Sequence, residues 1–288
     1  MVTDAIKGLR VWQALRRGEI TLHYQPCVSL AFGTAIGAEA LARWEHPVHG
    51  TLPPGDWLPA VERFPVVGRR FFRRTLAVAC AQAAAWRAAD RDLKLFLNVS
   101  PRVLSHDGFA DEVAAALRAA DLPPTAIDLE ITECALDDST DIEAVAAALS
   151  EHGVMLALDD FGTGHSSMAR LVNVPFATLK IDRSFVTEML VDDRRRAIVR
   201  SACSLGHSLG LMLIAEGIES TDVADALRRI GCDIGQGFLF SPALPAEQFD
   251  AWLDDNAVDS LLAPTFEALE RRAILRRSSD RVGAGTPR

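Results

Sequence analysis

Nowhere in the 288 residues is there a run of about 18 uninterrupted apolar positions, so no helical membrane span is expected. The opening residues lack the basic and apolar regions of a secretory signal, and the chain reads as cytoplasmic. No CxxC pair occurs. The five cysteines, Cys27, Cys80, Cys134, Cys203 and Cys232, are scattered and odd in number, which suits neither a disulfide framework nor a thiolate zinc site. They read as small buried fillers in a reducing compartment. Basic charge is also short, with 30 Lys and Arg against 39 Asp and Glu and a net charge of −9. A bare acidic face repels phosphates, so no DNA or RNA polymer is expected as a partner. An anionic small substrate is compatible with that charge, because cations held in an acidic pocket invert its field.

What the chain has is apolar content, 49% of residues, enough for a sizeable core. Strand-like runs fall at 21–24, 35–41, 93–99, 127–132, 155–159, 178–181, 211–215 and 237–240. Helix-like runs lie between most of them, the clearest at 73–89, 109–120, 141–152, 194–209 and 222–230. Asp141 and the pair Thr221-Asp222 are placed to cap two of these helices. Such alternation implies an α/β barrel or a doubly wound sheet. No repeat or linker divides the series, so one domain is expected over 1–257. Residues 258–288 are expected to hold one more amphipathic helix, near 266–275, and a frayed tail.

Single polar residues interrupt the apolar runs near their ends: Glu39, Asn98, Glu130, Asp159 with Asp160, Lys180, Glu216 and Gln236. From Asn98 the gaps are 32, 29, 21, 36 and 20 residues, close to the length of one strand–helix–strand unit. That regularity would gather them at one rim, and in parallel barrels active sites occupy the carboxyl rim. The longer gap of 59 residues between Glu39 and Asn98 leaves room for an extra helical excursion. Alternation puts Glu133 on the face opposite Glu130, which assigns Glu133 to bracing a loop. Asp159 and Asp160 would diverge along a strand, but Gly162 and Gly164 permit a turn that lets both face the centre. Lys180 and Asp182, two apart, can share a face.

Glu39, Glu130, Asp159, Asp160 and Glu216 together carry five negative charges opposed by Lys180 alone, and their repulsion calls for cations. An all-oxygen donor set without His or Cys suits two ions of Mg²⁺ or Mn²⁺ rather than zinc. Asp159 can bridge such a pair. His46 and His49 have metal-like spacing but sit in a Pro/Gly-rich loop and read as structural, as do His23 and His165. The Arg271-Arg272 and Arg276-Arg277 pairs read as a solvated helix face.

The motifs YQP (24–26), GAEALARW (37–44), NVS (98–100), EITE (130–133), DDFGTG (159–164), LKID (179–182), AEGIE (215–219) and QGF (236–238) resemble those of the EAL-domain cyclic di-GMP phosphodiesterases. They keep that family's order and spacing from about Trp12 to Trp252. The resemblance implies a modified TIM (β/α)8 barrel whose first strand is antiparallel. It implies that Glu39, Asn98, Glu130 and Asp159 bind one metal. Asp159 and Asp160 would bind the second, completed by Glu216 directly or through water. Lys180 and Glu216 are the catalytic expectations, with Lys180 orienting the attacking water. Gln25, Arg43 and Gln236 would contact substrate, and Glu133, Asp182 and Glu219 would support the site. His165 stands where the family usually has tyrosine, and Cys27 where an aliphatic residue is commoner; neither position is a ligand.

The function implied is metal-dependent hydrolysis of cyclic di-GMP, a bacterial second messenger, to linear pGpG by a two-metal mechanism. Ca²⁺ is expected to occupy the site without supporting turnover, and a homodimer is expected. Two rivals are a catalytically silent cyclic di-GMP receptor or protein-interaction module, and a metal-dependent barrel enzyme for another substrate. No segment resembles a sensor or a diguanylate cyclase, so regulation is expected from unidentified protein partners, expression or dimerisation.

Overall fold

The chain turns back on itself after its first strand, and that reversal sets the topology. The computed structural model describes residues 2–133, 141–164, 168–256, 266, 268 and 269. It begins with α1 (Val2–Arg17), β1 (Ile20–Ser29), β2 (Ala35–His46) and the short β3 (Gly50–Leu52). Only residues 30–34 separate β1 from β2, too few for a crossover, so the two must pair antiparallel. The turn is closed by Ser29 N–H to Thr34 O at 2.8 Å, with Gly33 at φ 72°, a left-handed value that favours glycine.

Longer connections follow and make each pairing around the barrel from β2 to β9 parallel. After α2 (Leu58–Glu62) and α3 (Pro65–Ala88) come β4 (Lys94–Asn98), α4 (Pro101–Leu104), α5 (Phe109–Ala119) and β5 (Ile127–Thr132). Then follow α6 (Ile142–Glu151), β6 (Met155–Phe161), α7 (Met168–Asn173) and β7 (Phe176–Ile181). The chain continues through α8 (Arg183–Val186), α9 (Asp193–Leu209), β8 (Met212–Ala215), α10 (Thr221–Ile230) and β9 (Ile234–Gly235). β10 (Leu244–Pro245) and α11 (Ala246–Asp255) end the continuous part. The order β1-β2-β4-β5-β6-β7-β8-β9 closes on β1, which is antiparallel to both neighbours. This is a modified (β/α)8 barrel with one reversed strand.

Strand alternation sorts the apolar residues into two layers. Leu95, Leu97, Ile127, Leu129, Ile131, Leu156 and Leu158 face outward and pack on Phe72, Leu76, Val113, Leu117 and Leu149 of the helices. Cys27, Phe96, Ala157, Met212, Ile214 and Ile234 form a separate cluster filling the interior. A filled interior is what keeps a barrel of this size a packed core rather than a pore.

Three expectations shift. The eighth strand is Ile234–Gly235 rather than 237–240. Ile234 is fully buried, whereas Phe238 is 71% exposed and a side chain at Gly237 would meet Ile218 O at 2.2 Å, so the β-rich run is a turn. α3 starts at Pro65, whose fixed φ suits a first helical turn, eight residues before the expected start. α10 is capped by Ser220, which accepts from Val223 N–H, one residue before the expected pair. The long excursion between Glu39 and Asn98 is filled by β3, α2 and α3. Among the described residues no helix is long and apolar enough to cross a membrane. Of residues 258–288, Phe266, Ala268 and Leu269 are helical and the rest lie outside the described residues, as do Cys134, His165 and the two Arg pairs.

Candidate active site

Parallel strands deliver their last inward residues to one rim. Lys180 of β7 is 1% exposed, and its Nζ lies 2.7 Å from Glu216 Oε1, 2.9 Å from Glu130 Oε1, 3.1 Å from Asp159 Oδ1 and 3.3 Å from Glu39 Oε2. Four carboxylates from β2, β5, β6 and the end of β8 therefore share one ammonium. Asn98 at the end of β4 donates its Nδ2 to Glu39 Oε1 at 2.9 Å and to Glu130 Oε2 at 3.0 Å. Gln236, just after β9, donates to Glu39 Oε2 at 2.7 Å and to Gln25 Oε1 at 3.0 Å. The antiparallel register sets Gln25 directly opposite Glu39, which is why a residue of the reversed strand reaches the same rim.

Asp160 joins the group by its own backbone. Its φ is 56°, left-handed, and the β6–β7 register slips between Leu158 and Phe161. Aspartate tolerates that conformation better than most residues. The two aspartates converge through this bulge, before the glycine turn expected to do so is reached. Carboxylate oxygens of Asp159, Asp160 and Glu216 lie within 4.8 Å of one another, an acidic cluster able to hold metal. Glu133, on the far side of β5's end, accepts the backbone N–H of Gly162 at 2.8 Å and of Gly164 at 2.9 Å. A side chain at Gly164 would meet Glu133 at 3.2 Å, so any larger residue there would push on the carboxylate that holds the loop.

Burial of so many like charges distorts their titration. Burial pushes Glu130 well above the usual carboxylate range, with Glu39 adding to it and Lys180 opposing. Burial raises Glu216 to about 7, against the pull of Lys180. Asp160 rises to about 6 through burial and then the charges of Asp159 and Asp182. Burial pushes on Glu39 too, but Lys180 and the hydrogen bonds from Gln236 and Asn98 outweigh it and hold Glu39 low. For Lys180, desolvation is overcome by the four carboxylates, so its ammonium is locked on.

These residues fit hard cations. Glu130 Oε1 is buried without a well-directed hydrogen-bond donor, and four carboxylates crowd one ammonium with Asp160 beside them. Among the described residues the gathered donors are oxygens, with the Cys27 thiol beside them held neutral by burial, and an oxygen set suits Mg²⁺-like ions. Asn98 now presents its NH₂ to the carboxylates; as a ligand it would turn its carbonyl inward, a rotation an amide makes without moving its backbone.

All six expected ligands are thus gathered in one place. A cleft of about 670 Å³ opens over them, lined by Gln25, Arg43, Glu219 and Gln236 among the expected residues. Arg43 is half-buried and donates to Ala42 O at 2.9 Å. Asp182 caps α8 by accepting from Ser184 N–H at 3.0 Å. Glu219 is exposed at the outer wall. The sequence reading missed Arg183, Arg195 and Phe238 on the same cleft. Arg183 follows LKID directly and Phe238 closes QGF, so both had a local signal. Arg195 sits on α9 and had none.

A (β/α)8 barrel with an acidic cluster at its carboxyl rim able to hold metal defines a class of metal-site barrels. Residues 10–243 match the EAL domain family, and the chain belongs to it. It is 40% identical over 238 residues to the bifunctional diguanylate cyclase/cyclic di-GMP phosphodiesterase MucR of Pseudomonas aeruginosa, covering 82% of this chain and 35% of that protein. It is 36% identical over 254 residues to the cyclic di-GMP phosphodiesterase RocR of the same organism, covering 86% of this chain and 62% of RocR. The chain therefore spans about a third of MucR and less than two thirds of RocR. The solved MucR phosphodiesterase in complex with c-di-GMP superposes with a TM-score of 0.77 at 39% identity, over 82% of this chain and 96% of that one.

Proposed function

We propose that this chain is a metal-dependent phosphodiesterase that hydrolyses cyclic di-GMP to linear pGpG. The observation that carries the reading is Lys180 held among four carboxylates on the floor of a cleft of about 670 Å³ whose wall includes Arg43. A cleft of this size suits a dinucleotide. The names of MucR and RocR and the MucR complex support the substrate.

Glu39, Asn98, Glu130 and Asp159 would hold one cation, and Asp159, Asp160 and Glu216 a second. Bound there, two Mg²⁺ or Mn²⁺ ions would supply Lewis-acid stabilisation of charge on a phosphoryl oxygen. The rest falls to the chain's own side chains. Lys180, kept protonated by its neighbours, donates to the attacking water and orients it rather than accepting its proton. Arg43 contacts the non-bridging phosphate oxygens. Gln25 and Gln236 line the substrate side, and their mutual hydrogen bond fixes Glu39. Water adds to one phosphorus and its bond to the 3′ oxygen breaks, which frees a 3′-hydroxyl and leaves the phosphate on the 5′ oxygen.

The test is incubation of the purified chain with cyclic di-GMP in Mg²⁺, Mn²⁺ or Ca²⁺, with products separated by chromatography. pGpG is expected with Mg²⁺ and Mn²⁺, little or none with Ca²⁺, and none from Asp159→Asn. Tight binding without turnover in any ion would make the chain a receptor and overturn the proposal.

A further inference from the structure

The floor of the barrel is closed by a residue that lies outside the family match. Phe266 is 3% exposed and belongs to the interior cluster with Cys27, Phe96, Met212, Ile214 and Ile234, with Leu269 packed beside it. Its ring meets that of Phe96 edge-on at 5.7 Å between centroids. Lys94 Nζ lies 5.2 Å from the centre of the same ring and 2.6 Å from Asp128 Oδ1. Lys94 and Asp128 are 4% and 0% exposed, so an ion pair is desolvated at the foot of β4 and β5. The family match ends at residue 243, well before Phe266.

That floor bears on the rim by register. Phe96 and Asn98 share the inward face of β4, and Phe96 pairs with Glu39 on β2 and with Asp128 on β5. Glu130 is the next inward residue of β5. Phe96 thus lies beside Glu39 and one inward position below Asn98 and Glu130, and Phe266 packs against Phe96 from below. Close-packed interiors transmit a lost side chain to their neighbours instead of absorbing it. With the phenyl ring gone, Phe96 would lose its support and water would reach the Lys94–Asp128 pair.

We propose that Phe266 is a positioning residue for the cation centre, acting through Phe96 to hold Glu39, Asn98 and Glu130, so that the functional unit extends beyond residue 257 to at least Leu269. This rests on the reading of the rim as a site for divalent cations.

The experiment uses the full chain and three variants: Phe266→Ala, the conservative Phe266→Leu, and Phe32→Ala as an exposed aromatic control. Mn²⁺ binding is followed by the paramagnetic signal of the free ion, and thermal midpoints are measured in parallel. Phe266→Ala is expected to weaken Mn²⁺ binding by about ten- to a hundred-fold, the range found when supports of metal ligands are removed. Phe266→Leu restores most of that affinity, and Phe32→Ala leaves it unchanged. If Phe266→Ala does not fold, the shortfall of Phe266→Leu relative to the parent is the deciding comparison. A Phe266→Ala protein that melts earlier but binds Mn²⁺ as the parent does has a merely structural plug, and the proposal is wrong. A parent chain that binds no Mn²⁺ overturns the metal reading and this proposal with it.

Discussion

Glu133 holds Gly162 by its backbone: one carboxylate oxygen accepts that N–H at 2.8 Å and the N–H of Gly164 at 2.9 Å. The loop so held begins right after Asp160, whose left-handed φ aims its carboxylate at Glu216 and Asp159. A hydrogen bond to a charged acceptor contributes about 1.5–3 kcal/mol, and a ligand set that loosens loses affinity as well as rate. Glu133→Ala is therefore predicted to lower kcat by about ten- to a hundred-fold and to raise the Mn²⁺ concentration needed for half-maximal rate. Glu133→Gln keeps an acceptor oxygen and should fall between. Steady-state kinetics over a Mn²⁺ series would show it; an unchanged Glu133→Ala enzyme would dissociate the loop from the site.

Lys180 is the only cation within reach of four buried or half-buried carboxylates among the described residues. Removing one partner of a buried ion pair costs about 3–5 kcal/mol, because the remaining charge is left without compensation. Lys180→Met is predicted to melt well below the parent in chelator, to recover much of the loss in Mn²⁺, and to have no measurable turnover even when refolded by the ion. Melting curves with and without Mn²⁺, beside a product assay, would test all three. Equal midpoints in chelator would mean the ammonium does not hold the rim together.

Asp160 separates backbone from charge. Asparagine tolerates a left-handed φ nearly as well as aspartate, whereas alanine there costs about 1 kcal/mol. Asp160→Asn should melt no lower than the parent in chelator at neutral pH, because it removes a charge that burial and Asp159 disfavour, while losing most Mn²⁺ affinity. Asp160→Ala should lose affinity as well and melt lower than Asp160→Asn. Calorimetric melts of the two variants would distinguish them, and identical midpoints would show that the strain at φ 56° is negligible.

The rim was legible in the sequence because barrel chemistry repeats. Each of Asn98, Glu130, Asp159, Lys180 and Glu216 ends an apolar run, and strand–helix units of similar length carry such ends to one place. The weak points were local. The 237–240 run has strand composition, yet Gly237 packs against Ile218 and turns the chain. The bulge at Asp160 has no sequence signature beyond the residue's tolerance of positive φ. Arg195 and Phe266 arrive from a distant helix and from the chain's far end, and no spacing rule places either.

With the rim read as a cation site, as proposed, protons and cations compete for it, which fixes a pH dependence and its sign. In the metal-free protein Glu216 titrates at about 7 and Asp160 at about 6, both above the ordinary values of 4.5 and 3.8. Between those values the folded state binds more protons than the unfolded chain, so the stability these groups contribute is full at low pH and is lost as pH rises through 6 and 7. For Glu216 that loss is on the order of 3 kcal/mol. Cations bind only the ionised carboxylates, so their stabilising effect must run the other way. The rise in melting temperature caused by Mn²⁺ is predicted to be largest near about pH 8 and to shrink steeply by about pH 5.5. Because other titrating groups are present with and without the ion, the difference between the two curves isolates the rim. A Mn²⁺ increment that stayed constant across that range would mean the ion does not bind at Glu216 and Asp160.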